Sequence, residues 1–305
     1  MSFSIRQLNQ FVAIAETGQI SRAALRCHVS QSTITIALKN LEETIGDQIF
    51  TRHPRGLQLT ESGERFLRHA KKILFAVDDA IQDMQQMPTC LAGDVRICVT
   101  ETITQYLLPT LLKDASRRFP NIKIEYRELE QDRLENVLLS GDFDFGVFLI
   151  SNSDPLCQLE YETMVRSPRK LWINPDHPLV NKDPVCLADL ENDNFILLDV
   201  EGYKETAMKF WQKHGLIPNI RHRSQSIEAV RSLVALGFGV TILSDFVFRP
   251  WSIDGNRIIR KDLADDIPCM SLGVARPQIA PLSETAQTVL ELLRTYVKAM
   301  SGYRL

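Results

Sequence analysis

At 305 residues, 44% hydrophobic and 24% charged, the chain has the proportions of an ordinary soluble globular protein and is too long for one typical core, so two or three domains are expected. No apolar run is long enough to span a bilayer, and the start MSFSIRQLNQF lacks the basic and apolar regions of a secretory signal, which points to a cytoplasmic protein with no membrane partner. The net charge of −3 conceals an asymmetry: residues 1–72 hold ten Lys/Arg against six Asp/Glu, and the rest hold 25 against 32, so a small basic module with an anionic partner precedes a larger acidic body.

The stretch SRAALRCHV reads as a short helix with Ala23, Ala24 and Leu25 inward, ending near His28-Val29. The next, HVSQSTITIALKNLEE, alternates like a strand at Thr33–Ile36, but Ala37-Leu38 breaks the alternation. With Ser30 as N-cap, Ile34, Leu38, Leu41 and Ile45 form one helical face, and Gly46 stands where a helix ends. Two short helices joined by a tight turn make a helix-turn-helix. The second turns Gln31, Ser32, Thr33, Thr35, Ile36 and Lys39 away from the apolar face. Short donors and acceptors plus one apolar group suit base edges and phosphates in a major groove.

A Thr-rich surface helix would look the same, so the following segment decides. DQIFTRHPRGLQLTESGERF reads as strand, basic turn, strand and helix, with Arg52, His53 and Arg55 crowding the tip and Thr60 capping the helix. A basic hairpin beside such a helix is a wing placed to reach phosphates or the minor groove.

From LNQFVAIAETGQISRAALRCHVSQSTIT through LKNLEETIGDQIFTRHPRGLQLTESGERF, the spacing of Ala23-Ala24, Ser30-Gln31, Leu41-Glu42, Gly46, Phe50, Arg52 and Leu59-Thr60-Gly63 resembles the LysR-type transcriptional regulators. The resemblance implies a winged helix-turn-helix with Ser30 at the helix start, Gln31, Ser32, Thr33, Thr35 and Ile36 facing bases, and Arg55 in the minor groove. Two departures are Ser32, where the family usually has Pro, and Ile36, where a polar or basic residue is common.

Residues 61–87 form the next element, a long helix. Phe66, Ala70, Ile73, Val77, Ala80, Met84 and Met87 repeat at 4-3-4-3-4-3, with Leu67, Leu74 and Ile81 beside them. Such a seam is covered either by the chain's own body or by a second copy. The family implies the latter, an antiparallel pair that sets two reading helices on an inverted repeat of double-stranded DNA. Domains are thus expected at 1–60 (winged helix-turn-helix), 61–87 (linker and dimerisation), 88–92 (hinge, with Pro88-Thr89) and 93–305.

Residues 94–305 alternate apolar runs with helical stretches: DVRICVT, TITQYLLPTLLKDASRRF, NIKIEYREL, QDRLENVLLSG, DFDFGVFLI, KLWINP, FILLD, YKETAMKFWQKHG, NIRHRS, SIEAVRSLVALG, GVTILSD, MSLGVAR and LSETAQTVLELLRTYVKAM. This βα winding predicts an α/β body with parallel or mixed sheets, whose ligand site lies beyond the carboxyl ends of the strands. The family implies a periplasmic-binding-protein-like pair of subdomains, about 93–163 with 269–305 and about 164–268, joined by two crossing strands around a small-molecule effector. Carried across by position, the cleft is lined by Thr100, Glu101 and Thr102, by Glu130 and Gln131, by Val200, Glu201, Gly202 and Tyr203, and by Ser226. Thr100 and Thr102 at a helix start suit an anion. Glu101, Glu130 and Glu201 read as solvated loop side chains; inside the cleft they would repel an anion unless Arg133 or Lys204 offset them. An amine-bearing or neutral polar effector therefore stays open.

The family also implies a homotetramer on DNA, with RNA polymerase a further candidate partner. No cofactor or metal is implied: the six cysteines (Cys27, Cys90, Cys98, Cys157, Cys186, Cys269) are scattered, with no CxxC and no His at zinc spacing. An enzyme using the α/β cleft is the alternative from another class, but GxSxG, P-loop and HExxH patterns are all missing. A thiol-redox sensor of the same family is a further alternative, with Cys157 and Cys186 the nearest candidates.

Overall fold

Helix α1 (Ile5–Thr17) is bounded by its own residues: Ser4 and Gln7 form a reciprocal capping box, and Gly18 ends it at φ 65°. In the computed structural model, which describes residues 3–53, 56–85, 91–152, 156–278 and 281–300, the chain divides into two units, Met1–Thr89 and Cys90–Leu305.

In the first unit α1 is followed by α2 (Ile20–Arg26), α3 (Gln31–Ile45), the antiparallel hairpin β1 (Phe50–His53) and β2 (Gly56–Leu59), and α4 (Glu61–Gln85). Leu8, Phe11 and Ile14 of α1, Ala23 and Ala24 of α2, Ile34 and Leu41 of α3, and Ile49 are buried together. Small side chains on α2 let the helices approach. Leu25, expected inward, is 77% exposed, because the seven-residue helix buries only the face carrying its two alanines. The turn into α3 is made at His28 with φ 53°, a conformation uncommon for a residue with a side chain. Glu16 draws the bundle together by ion pairs to Arg26 of α2 (2.6 Å) and Lys71 of α4 (3.2 Å). The hairpin is pinned to the end of α1 where Leu57 N–H donates to Gly18 O at 2.7 Å. The backbones there approach so closely that a Cβ on Gly56 would lie 2.2 Å from that oxygen.

The apolar seam of α4 is divided. Ala70 is fully buried, and Phe66, Leu67, Ile73 and Leu74 pack on the unit's own core, Phe66 against Phe3 and Phe11 at 5.7 and 5.0 Å. Only the later part, with Ile81 50% and Met84 86% exposed, is left uncovered by its own unit. The expectation of one continuous intermolecular seam is corrected accordingly, because α1 covers its first half. Met87 and the hinge at Pro88-Thr89 lie outside the described residues.

The second unit contains two sheets of matching order. Strands β3 (Gly93–Val99), β4 (Ile122–Glu128), β5 (Phe145–Phe148), β6 (Leu159–Ser167) and β12 (Met270–Pro277) form the first, in the order β4-β3-β5-β12-β6. Its first three strands are parallel, and β12 runs antiparallel to both neighbours. In the second, β7 (Arg169–Ile173) lies between β10 (Thr241–Ser244) and β11 (Ile259–Lys261), and β8 (Asn194–Leu198) pairs in parallel with β9 (Asn219–Ser224). A parallel bridge, Phe195 to Val240, links the two groups, which gives β9-β8-β10-β7-β11.

Helices α5 (Glu101–Tyr106), α6 (Leu108–Arg118), α7 (Gln131–Leu139), α8 (Tyr203–Lys213), α9 (Ile227–Ala235) and α10 (Glu284–Met300) connect or cover the sheets. The stretch read as one helix from Thr102 to Phe119 breaks at Leu107, whose backbone (φ −125°, ψ −50°) leaves the helical region. The chain crosses between sheets at Pro168 and again near Pro268. The expected boundary at residues 163–164 falls inside β6, which stays paired with β12 as far as Ser167 and Met270.

Candidate functional site

On α3 the side chains that face away from the core are the polar ones. Ile34 and Leu41 are buried, while Gln31, Ser32, Thr33, Thr35 and Lys39 are exposed and Ile36 is 61% exposed. Ser30 starts the helix as expected, accepting from Thr33 N–H at 3.1 Å, and Gly46 ends it at φ 78°. Thr35 bonds only to its own helix, at Gln31 O, and Lys39 lies 3.8 Å from Glu43 with both groups in solvent. Glu42, turned the other way, accepts from Ile49 N–H at 3.0 Å and orients the hairpin that follows. Arg52 is exposed on that hairpin. Thr60 caps α4 through Gly63 N–H at 3.0 Å. Arg55 and the side chain of His53 lie outside the described residues.

In the second unit the two sheets enclose a cavity of about 30 Å³, lined by Thr102, Val200, Glu201 and Tyr203 among the expected residues. Arg169, Ser244 and a set of aliphatic side chains complete it. Thr100 is buried beside it at the start of α5, and Ser226 caps α9 through Ala229 N–H without lining the cavity. Glu130 lies in solvent 3.6 Å from Arg133, Gln131 is buried against Leu149 O at 3.3 Å, and Glu101 bonds to Gln105. Gly202 contributes backbone, at φ 68°, to the start of α8.

Glu201 departs from its reading as a solvated loop residue. At φ 50°, it points across the cleft, where Oε1 accepts from Thr102 N–H at 2.9 Å. Burial pushes its carboxyl above the usual range, against the opposing pull of Thr102 and Thr100. The same short helix α5 is held at its other end. Tyr106 donates to Glu228 Oε1 (3.1 Å) and accepts from Arg231 Nη2 (2.9 Å); its burial carries the phenol up to about 12 against the opposing pull of Arg231. Arg231 is fully buried, and also donates to the backbone oxygens of Val247 and Arg249 and lies over the Trp172 ring at 5.2 Å. Both contacts of α5 bridge the two sheets.

Arg169, which the sequence reading missed, opens β7 with 6% exposure. It donates to Pro268 O, tying the two crossing strands together, and lies over the Tyr203 ring at 5.6 Å. A basic residue heading the apolar run LWI was the available signal.

Known families match both units. The description "Bacterial regulatory helix-turn-helix protein, lysR family" matches residues 5–64, and "LysR substrate binding domain" matches residues 90–298. The chain belongs to the LysR family.

This LysR-type transcriptional regulator is 29% identical to the HTH-type transcriptional regulator AlsR of Bacillus subtilis over 255 residues, 82% of this chain and 83% of that one. It is 27% identical to the DNA-binding transcriptional dual regulator OxyR of Escherichia coli over 300 residues, 95% of each. The solved structure of HinK, a LysR family transcriptional regulator from Pseudomonas aeruginosa, superposes with a TM-score of 0.64 at 29% identity, covering 98% of this chain and all of that one.

The regulator thus combines a winged helix-turn-helix with a two-subdomain α/β body. No helix among the described residues is long and apolar enough to cross a membrane. Its described cysteines are free, and the two redox candidates belong to different subdomains, Cys157 just before β6 and Cys186 after the Val185–Leu263 bridge. Burial pushes the Cys98 thiol up to about 12 and raises that of Cys27, which disfavours the reactive thiolate at both.

Proposed function

We propose that two copies of the regulator pair through the uncovered half of α4 and bring two α3 helices to major grooves related by a dyad, so that the DNA site is an inverted repeat. In this reading Ser30, Gln31, Ser32, Thr33, Thr35, Ile36 and Lys39 meet bases and phosphates. Arg52, with His53 and Arg55 by their position in the hairpin, reaches the backbone and minor groove. Ile36 supplies an apolar contact suited to a thymine methyl. The observation that carries the reading is the outward face of α3, where polar side chains stand exposed with few partners of their own.

A small effector then enters the cleft bordered by Thr102, Val200, Glu201 and Tyr203. Thr100, Glu101, Glu130, Gln131, Gly202 and Ser226 form its wider surroundings. Roughly 300–1,000 Å³ is usual for a small-molecule pocket, so the cavity of about 30 Å³ corresponds to a closed cleft that must part to admit a ligand. Opening or closing it changes how bodies pack in a dimer or tetramer, and with that the spacing of reading heads and the bend of the DNA. The protein acts by binding rather than turnover, in the cytoplasm, with RNA polymerase as a further partner at the promoter.

Selection of genomic fragments by the purified protein tests this. The expected result is a recovered site with dyad symmetry, and Ile81→Asp is expected to lower both self-association by sedimentation and affinity for the full site. Recovered sites without symmetry would overturn the paired arrangement.

A further inference from the structure

Between α1 and α2 of the first unit runs an open groove of about 490 Å³. Ile5, 41% exposed, and the half-buried Val12 line it together with Ala13. Arg6 stands there in solvent, with no carboxylate within 4.0 Å of it among the described residues. Gln10 lines the same groove. It is only 3% exposed, yet among the described residues its amide makes no hydrogen bond. A buried amide without a partner is costly, so a polar group from outside the single unit is expected to meet it. The far half of α4 is left open in the same unit. Val77, Ile81 and Met84 follow at spacings of four and three, and none of them belongs to the unit's packed core. From residue 75 to 85 the sequence reads FAVDDAIQDMQ, with three aspartates and neither Lys nor Arg.

We infer that these two features meet between copies: the far half of α4 of one copy lies in the α1–α2 groove of its partner, which returns the same contact. The inference rests on the reading that two copies pair through α4, and it names the surface that receives the helix. Shape supports a second copy as the occupant. On α1, Ile5, Asn9 and Val12 repeat at the same four-three spacing as Val77, Ile81 and Met84. Both stripes therefore run about 10 Å, at roughly 1.5 Å per residue. Charge supports it too, because an acidic segment meets a groove edged by Arg6. Area is the third argument. Two stripes this short, laid only on each other, fall well below the roughly 1,200–2,000 Å² that a stable interface buries. An exchanged, two-fold contact adds both grooves to that area. The Gln10 amide then gains a polar partner from the incoming helix. Because α4 continues in sequence into its own copy's second unit, the exchange ties the body of one copy to the reading head of the other.

Photo-crosslinking of the full-length protein tests this, in mixed dimers of isotope-light and isotope-heavy copies. One sample carries Arg6→p-benzoylphenylalanine and the other Met84→p-benzoylphenylalanine. The probe at position 6 is expected to capture residues 75–85 of the other copy, and the probe at position 84 to capture residues 5–27 of the other copy. Asn9→Glu sets a carboxylate in the groove against the acidic segment. It is expected to raise the dimer dissociation constant at least about tenfold by sedimentation, as like charges across an interface do. Positions 6, 9 and 84 are all exposed in the single copy, so each variant is expected to fold.

Crosslinks from position 84 to α4 of the partner, with none from position 6 to α4, would overturn the exchange and leave pairing through α4 in place. Crosslinks from position 6 confined to its own chain overturn the exchange as well, as does an unchanged dimer affinity in Asn9→Glu. A wild-type protein that stays monomeric at micromolar concentration, with neither probe linking two chains, brings down pairing through α4 and the exchange with it.

Discussion

The two units hold their polar chemistry in opposite ways. On α3 it faces outward: Gln31, Ser32, Thr33 and Thr35 are exposed, and their bonds run to their own helix or to its cap. In the second unit it is buried and engaged across subdomains, as Glu201 with Thr102 and Arg231 with Tyr106. The contrast matches the ligands. A duplex is a large polyanion of fixed shape, read by groups already presented to solvent. A small molecule has to be enclosed, and in the proposed function the groups that would meet it start out bonded to the protein itself.

Substitutions that separate burial from recognition sharpen the comparison. The largest effect is expected from Arg231→Met, which leaves Glu228, Tyr106 and two carbonyl oxygens without their donor. Breaking such a buried network costs about 3–5 kcal/mol. Trp172, Trp211 and Trp251 all belong to the second unit, so urea unfolding followed by tryptophan fluorescence reads that loss there alone. Leu41→Ala follows, at roughly 3 kcal/mol for a large-to-small change in a packed core. It should abolish DNA binding while the tryptophan transition stays where it was.

Gln31→Ala, on the exposed face, should leave both units' stability within about 0.5 kcal/mol and weaken operator binding by about 1–3 kcal/mol. A mobility-shift titration reads it, and unchanged affinity would remove Gln31 from the reading face.

The smallest effect is a pH dependence. Burial raises the folded Glu201 carboxyl above its ordinary value of 4.5, so the folded state binds that proton more tightly than the unfolded one. The resulting stability is full below the unfolded pKa and lost as pH climbs through the folded pKa. Glu201→Gln cannot ionise, so its unfolding midpoint should gain on the wild type as pH rises from about 4.5, the unfolded-state reference. A parallel shift at all pH values would show that Glu201 does not titrate differently on folding.

The first unit was the more legible because its signals are local. Ser30, the apolar face led by Ile34 and Leu41, and Gly46 lie within one helix, and the structure uses each as the periodicity implies. The α4 seam was legible as a stripe but not as to its cover, because Phe3 and Phe11, which take its first half, lie more than fifty residues away in sequence.

In the second unit most strands were readable as apolar runs. β6 escaped because LEYETMVRS is half polar, and β11 because three residues carry no period. The cleft was hardest. Its walls come from α5, β7, β8, β10, β12, the segments after β5, β8 and β10, and the starts of α8 and α9, and no spacing in the sequence brings Arg169 and Glu201 to one cavity. Gly202 enters only as a cleft position carried across from the family, and nothing in the sequence says that the residue ahead of it, Glu201, turns inward.

The most direct measurement is the affinity of the full-length protein for its selected duplex and for a scrambled duplex of equal length, by fluorescence anisotropy at physiological salt. An outward-facing reading helix predicts that the selected site binds at least about 10³-fold tighter, the lower end for sequence-specific regulators, and that Gln31→Ala narrows the gap. Equal affinity for both duplexes would contradict it.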